Sequence, residues 1–188
     1  MNVEIIKQVD KHNYSDEFNM IKTHFERQKH SSNKGVDGEN KLEILLNSIF
    51  PSSTIENTTG KGKSGDFIVY RDNTFNILFE NKDYANNVPP VEIEKFIRDI
   101  ENVDMDGIFL SQSSGISRKE DFHIDIYNNK IIIYVHHVNY NIDKIKVAVN
   151  MLNHLKNKLN QLDTSGNNTI SESTLFEINK EFRFFLQQ

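Results

Sequence analysis

Cysteine is absent from the 188-residue chain, which excludes both a disulfide framework and a thiolate metal site. No apolar run follows Met1, and none elsewhere approaches the length of a membrane span. The expectation is a protein without membrane attachment, in the cytoplasm or another reducing intracellular compartment. Basic charge is short as well. Lysine and arginine number 22 against 27 aspartates and glutamates, a formal net charge of -5. A chain so balanced does not coat nucleic acid over its whole surface, so a polyanion must be held by a local basic patch. Internal repeats, the P-loop spacing and the HExxH zinc pattern are also missing. His136 and His137 are neighbours in what reads as a strand, so they point to opposite faces and do not readily share a metal.

What the chain does have is an ordinary share of hydrophobic (37%) and charged (26%) residues, enough for one domain with a sizeable core. Its most informative stretch runs from Gly60 to Lys82 as GKGKSGDFIVYRDNTFNILFENK. A glycine-lysine loop leads into an apolar strand at residues 67–70, a turn at Asp72-Asn73, and a second strand over residues 75–82. Strand side chains alternate faces, so Asp66 and Ile68 share one side of the first strand, and Leu78, Glu80 and Lys82 share one side of the second. If the strands pair, two carboxylates and a lysine converge at one edge of the sheet. Hard oxygen donors of that kind suit Mg²⁺, and the lysine can hold a phosphate or help a water lose its proton. Taken singly, each residue would read as part of a surface salt-bridge cluster at a strand end.

Asp66 followed after thirteen residues by Glu80-Asn81-Lys82 resembles the PD-(D/E)xK nuclease superfamily, which includes restriction endonucleases and archaeal-type Holliday junction resolvases. The resemblance spans residues 35–138 and implies an α/β fold. Its restriction-endonuclease-like core would be a central mixed β-sheet flanked by helices, with N- and C-terminal helical additions. It also implies that Asp66 and Glu80 hold Mg²⁺ or Mn²⁺ together with the backbone carbonyl of Asn81, and that Lys82 assists the attacking water. A glutamate in the preceding helix often completes such a site, and Glu39 stands in that place. Gly65 occupies the position of the motif's proline. The implied activity is metal-dependent hydrolysis of DNA as an endonuclease, with RNA equally open to the same chemistry. A homodimer would supply the second site needed to cut both strands. The competing reading is a non-catalytic DNA-binding or protein-interaction module that retains the fold.

The remaining segments fall around that core. Residues 1–34 read as a helical arm, with a helix over 15–30 whose Phe18, Ile21 and Phe25 share a face. A helix over residues 36–50, with Leu42, Leu45, Leu46 and Ile49 as its buried stripe, ends before Pro51. Lys61 and Lys63 in the glycine loop suit a phosphate next to the scissile one. A helix opening at Val88-Pro89-Pro90 buries Ile93, Phe96, Ile97 and Ile100. Its acidic residues from Glu92 to Glu101 are expected to face away from the substrate. The strand at residues 108–110 is followed by a polar loop in which Gln112, Arg118 and Lys119 are candidate substrate contacts. Residues 122–127 and 130–138 form a hairpin around Asn128-Asn129. Residues 139–188 read as helices that pack on the core or form an interface. The lysines Lys146, Lys156 and Lys158 of the first of these helices are the DNA surface that the module reading would use.

Overall fold

A computed structural model describes residues 35–62, 64–72, 74–164 and 175–180. The chain divides into two compact units, Met1–Gly38 and Glu39–Gln188, and the second is the subject here. The helical arm over residues 1–34, Lys63, and residues 165–174 and 181–188 of the expected C-terminal helices lie outside the described residues.

Helix α1 ends at residue 49 of a segment that starts at residue 35. After it come β1 (Thr54–Asn57), β2 (Phe67–Tyr70), β3 (Ile77–Lys82), α2 (Pro90–Val103), β4 (Asp106–Ser111), β5 (His123–Tyr127), β6 (Lys130–Val135) and α3 (Ile142–Thr164). Residues 175–180 form a further helical segment, α4. The strands make one six-stranded sheet in the order β1-β2-β3-β4-β6-β5. Pairing is antiparallel across β1, β2 and β3, parallel from β3 to β4 and from β4 to β6, and antiparallel between β6 and β5. A parallel pair cannot be joined by a tight turn; α2 makes the crossover from β3 to β4. The result is an α/β domain with a mixed sheet flanked by helices.

Alternation along the strands divides the core in two. Phe67, Val69, Ile77, Phe79, Ile108, Leu110, Ile131 and Ile133 pack with Leu42 and Leu46 of α1 and with Ile145 and Leu152 of α3. Their neighbours Ile68, Leu78, Phe109, Ile132 and Tyr134 pack on the other face with Ile93, Phe96 and Ile100 of α2. Covered on both sides, β4 is buried along its whole length. Gly107 marks how closely α2 lies on it: a Cβ there would stand 2.4 Å from Ile100 Cδ1 and 2.7 Å from Phe96 Cζ. Phe96 is fully buried, and loss of a ring so placed costs about 3–5 kcal/mol.

Several strand boundaries differ from the sequence expectation: β4 extends from Asp106 to Ser111, β5 starts at His123, and the differences in β3 and β6 have clear physical causes. β3 starts at Ile77 rather than Phe75. Arg71 Nε and Nη2 donate to the Phe75 carbonyl at 2.9 and 2.6 Å, and the Arg71 N–H donates to Asn76 Oδ1 at 3.1 Å, so Phe75 and Asn76 are tied into the turn. β6 stops at Val135 because the next N–H, of His136, donates to Asp121 Oδ1 at 2.8 Å. The Asn128-Asn129 turn has positive φ at both residues, 47° and 61°, as a tight hairpin requires.

Lys156 is not a free surface cation. Its Nζ lies 3.0 and 2.9 Å from the oxygens of buried Asp106, and Asp106 Oδ1 also accepts the N–H of Ile131 at 2.8 Å. It pins α3 to the start of β4. At the sheet's far edge, the Asn179 amide of α4 accepts from the N–H of Ile124 and donates to its carbonyl at 2.8 and 2.9 Å, closing that part of β5 against another strand. Among the described residues no helix is long and apolar enough to cross a membrane.

Candidate active site

Asp66 precedes β2 directly and grips β3 on both sides of Glu80. Its N–H donates to the Phe79 carbonyl at 3.0 Å, and its Oδ2 accepts the Asn81 N–H at 2.8 Å. The ladder pairs Phe67 with Phe79; one further step sets Asp66 opposite Glu80. Ile68 and Leu78 face α2, so strand parity puts Asp66, Glu80 and Lys82 on that same side. Gly65 enters this arrangement at φ +57°, with Leu78 Cδ1 and the Phe79 carbonyl oxygen each 3.0 Å from where a Cβ would sit. Proline, fixed near φ -65°, does not adopt that conformation, so the glycine here is a requirement of the turn.

Glu80 is fully buried, and no backbone N–H or hydroxyl donates to either of its oxygens. Its neighbours are ammonium groups held as ion pairs, Lys82 Nζ at 2.5 Å and Lys95 Nζ at 3.7 Å from Oε1. Burial, and then the charge of Asp66, push the Glu80 carboxyl up to about 7 against the pull of Lys82. Burial also raises Asp66, opposed by Lys82 and the Asn81 N–H and aided by Asp99. Burial disfavours the charge of Lys82, but Glu80 and Asp66 outweigh it and hold the ammonium protonated above its ordinary value. Glu39, half-buried on α1, is raised first by burial and then by Asp66, against the Thr59 hydroxyl and Lys82. Glu39, Asp66 and Glu80 are thus harder to ionise than in water, because they crowd a poorly hydrated corner.

The first turns of α2 belong to this corner, contrary to the expectation that the acidic helix faces away. Glu92 Oε2 lies 3.5 Å from Lys82 Nζ, Lys95 reaches Glu80, and Asp99 Oδ2 accepts the Gly65 N–H at 3.3 Å. Glu92 also accepts the Tyr84 hydroxyl at 3.1 Å. Residues three and four apart share a helix face, so Glu92, Lys95 and Asp99 form one stripe beside the buried Ile93, Phe96 and Ile100. Summing the charge of the helix hid this; marking charge face by face would have found it.

The proposed substrate contacts are dispersed. Gln112 is buried, with Nε2 donating to Asn81 Oδ1 at 2.6 Å and Oε1 accepting the Tyr140 N–H at 2.8 Å. Its own N–H donates to the Lys82 carbonyl at 2.8 Å. It braces β3 from behind and has no free polar atom to offer a substrate. Lys61 pairs with Glu56 at 2.6 Å on the exposed surface of β1. Lys119 is paired with Asp125 and stands 4.8 Å over the Tyr134 ring. Arg118 is exposed and lines a cavity of about 370 Å³ with His123, Asp125 and Phe176. Both lie by β5 and β6, and with β4 and β6 between β3 and β5 the lateral distance is about 14 Å. They do not meet Glu80.

Among the described residues no group of three or more His, Asp or Glu side chains gathers as a metal centre. Mg²⁺ does not demand one, since it keeps several waters and binds through one or two carboxylates plus substrate phosphates. The unpartnered Oε2 of Glu80 and the adjoining Asp66 fit that donor set. The N–H and C=O of a strand residue leave the same edge, so the Asn81 carbonyl faces the gap into which its N–H points. No protein-family model, curated protein or solved structure matches the chain to significance. The functional reading therefore rests on the corner's own chemistry.

Proposed function

We propose that the chain is a divalent-metal-dependent endodeoxyribonuclease of the PD-(D/E)xK kind, with a restriction-endonuclease-like core. The observation that carries the reading is Glu80, a buried carboxylate with an unpartnered Oε2, opposite Asp66 and beside Lys82. Asp66, Glu80 and Glu39 together outnumber the nearby ammonium groups of Lys82 and Lys95, and a further cation would offset the excess. Asp66, Glu80 and the Asn81 carbonyl would hold Mg²⁺ or Mn²⁺. When bound, that ion offsets charge on the phosphate and makes water more acidic. Lys82, held protonated, stabilises a phosphate oxygen and orients the attacking water. Glu39, from α1, would support the ion directly or through a water. Gln112 fixes the Asn81 side chain and so the local course of β3. A homodimer would bring a second copy of the site to the opposite DNA strand.

Calorimetry with Mn²⁺ on the wild type and on Asp66→Ala, alongside cleavage of several DNA forms and of RNA, tests this. Binding is expected to be lost in the variant, with DNA cut only by the wild type. Equal Mn²⁺ binding by both proteins and intact DNA throughout would sink the assignment.

One observation favours the second reading, a non-catalytic DNA-binding or protein-interaction module. Lys82 already partly neutralises Glu80 at 2.5 Å. That reading is weakened on its own terms, because Lys156, one of the lysines it would present to DNA, is committed to Asp106. DNA binding in Ca²⁺ with no cleavage in Mg²⁺ or Mn²⁺ would favour it.

A further inference from the structure

We propose that Lys95 of α2 is a phosphate-binding residue of this site, taking a non-bridging oxygen of the nucleic-acid strand. The proposal deepens the nuclease reading, on which it rests for the identity of the anion. Of the two lysines near Glu80, Lys82 is enclosed: its side chain is 17% exposed and lies between Glu80 at 2.5 Å and Glu92 at 3.5 Å. Lys95 is 48% exposed, and its 3.7 Å approach to Glu80 is too long for a hydrogen bond. The charge of Glu80 aims its ammonium at the corner without tying it there. A flexible four-carbon stem lets that ammonium meet an incoming anion from the solvent side.

Of the other candidate cations among the described residues, two are ion-paired and Arg118 lies by β5. Lys61 is paired with Glu56 and Lys119 with Asp125. A phosphodiester reaching Asp66 and Glu80 meets a corner that also carries the carboxylates of Glu39 and Glu92. An attractive charge at the solvent side of that corner is what the approach requires, and α2 places Lys95 there. Glu92 and Asp99 lie one turn to either side of it on the same helix face.

The test measures affinity of a fluorescent DNA duplex in Ca²⁺ across a salt series for wild type, Lys95→Ala and Lys95→Arg, with cleavage in Mg²⁺ followed separately. Lys95→Ala is expected to bind roughly tenfold more weakly, with a log-log salt slope smaller by about 0.9. Lys95→Arg should recover both. Mn²⁺ affinity should hold or tighten in Lys95→Ala, since a cation beside Glu80 is removed. A mere ion-pair partner of Glu80 would leave the slope unchanged, and an unchanged slope overturns the proposal. If the wild type cleaves DNA while the slope is unaffected, Lys95 falls alone. If the slope drops but no DNA is cut, Lys95 stands and the nuclease reading falls. A wild type that binds no nucleic acid overturns both.

Discussion

Glu80 and Asp125 are carboxylates on the same face of one sheet, and their surroundings treat them in opposite ways. Glu80, on β3, has the Lys82 ammonium at Oε1 and nothing at Oε2, and is pushed up to about 7 by burial and by Asp66. Asp125, on β5, is also penalised by burial, yet hydrogen bonds from His123 and Lys119 hold it at about 2. Burial acts in one direction on both; the partners decide the outcome. Asp125 is a finished structural cluster, its charge fully answered by the protein. Glu80 is unfinished. Carboxylates left in that condition mark places where something from outside completes the charge balance.

The comparison predicts that activity and stability separate between the two regions. Lys82→Ala should slow DNA cleavage by about 10²–10³-fold while circular dichroism and Mn²⁺ binding stay close to wild type. Glu39→Gln should show a smaller but measurable loss. Asp125→Asn, two strands removed from the site, should leave the rate of the folded protein unchanged. A Lys82→Ala protein cutting at the wild-type rate would remove the functional half of the contrast.

Stability should show the reverse. The Asp125 carboxyl is depressed from 3.8 to about 2, so it contributes stability above its unfolded value that disappears as pH falls through the folded one. That amounts to about 2 kcal/mol near neutral pH. Urea unfolding of Asp125→Asn should show a deficit of that order, closing as pH drops from about 4 to about 2. A deficit that persists in full at the acid end would mean that Asp125 acts through packing rather than charge.

The same pair shows what could be read in the sequence. Alternation and turn residues sufficed for the hairpin of β5 and β6, and strand parity was enough to bring Asp66, Glu80 and Lys82 to one corner. Three things were not legible. The lateral place of Arg118 and Lys119 depends on the strand order β3-β4-β6-β5, which no local pattern encodes. A glutamine after a strand looks the same whether it faces solvent or, like Gln112, is closed in between Asn81 and Tyr140. Helix α2 was judged by its total charge, whereas one face of it carries Glu92, Lys95 and Asp99 into the site.

Metal binding should sharpen the contrast further, through pH. The raised pKa of Glu80 means that the folded protein holds a proton there up to about 7. A divalent ion must displace it, so Mn²⁺ affinity should fall about tenfold per pH unit below that point and level off above it. Without an ion the sign for stability is the opposite of that for Asp125: the protein loses stability as pH rises from 4.5 towards about 7. Mn²⁺ titrations across that window, on the wild type and on Asp125→Asn, should give superimposable profiles. A flat profile in the wild type would show that Glu80 does not take part in binding the ion.

The smallest effect is expected at Lys61, which sequence reading made a phosphate contact. Its ammonium is 2.6 Å from Glu56 Oε1, and the other oxygen of Glu56 accepts the Tyr70 hydroxyl at 2.9 Å. Those two hydrogen bonds, Lys61 first, hold the Glu56 carboxyl below its usual range, so the pair is neutral as DNA would meet it. Lys61→Ala removes a positive charge but exposes the negative one that had answered it. In a salt series DNA affinity should change by less than about twofold, far from the loss expected at Lys95, because an exposed pair is weak and solvent-screened. Glu56→Gln provides the sharper measurement. It leaves Lys61 without its partner on the surface of β1, and if the glycine loop borders the DNA path, affinity should rise and the salt slope steepen by up to about 0.9. A Lys61→Ala variant that binds as poorly as Lys95→Ala would mean that Lys61 leaves Glu56 for the substrate, and the phosphate-binding surface would then extend from α2 across the glycine loop.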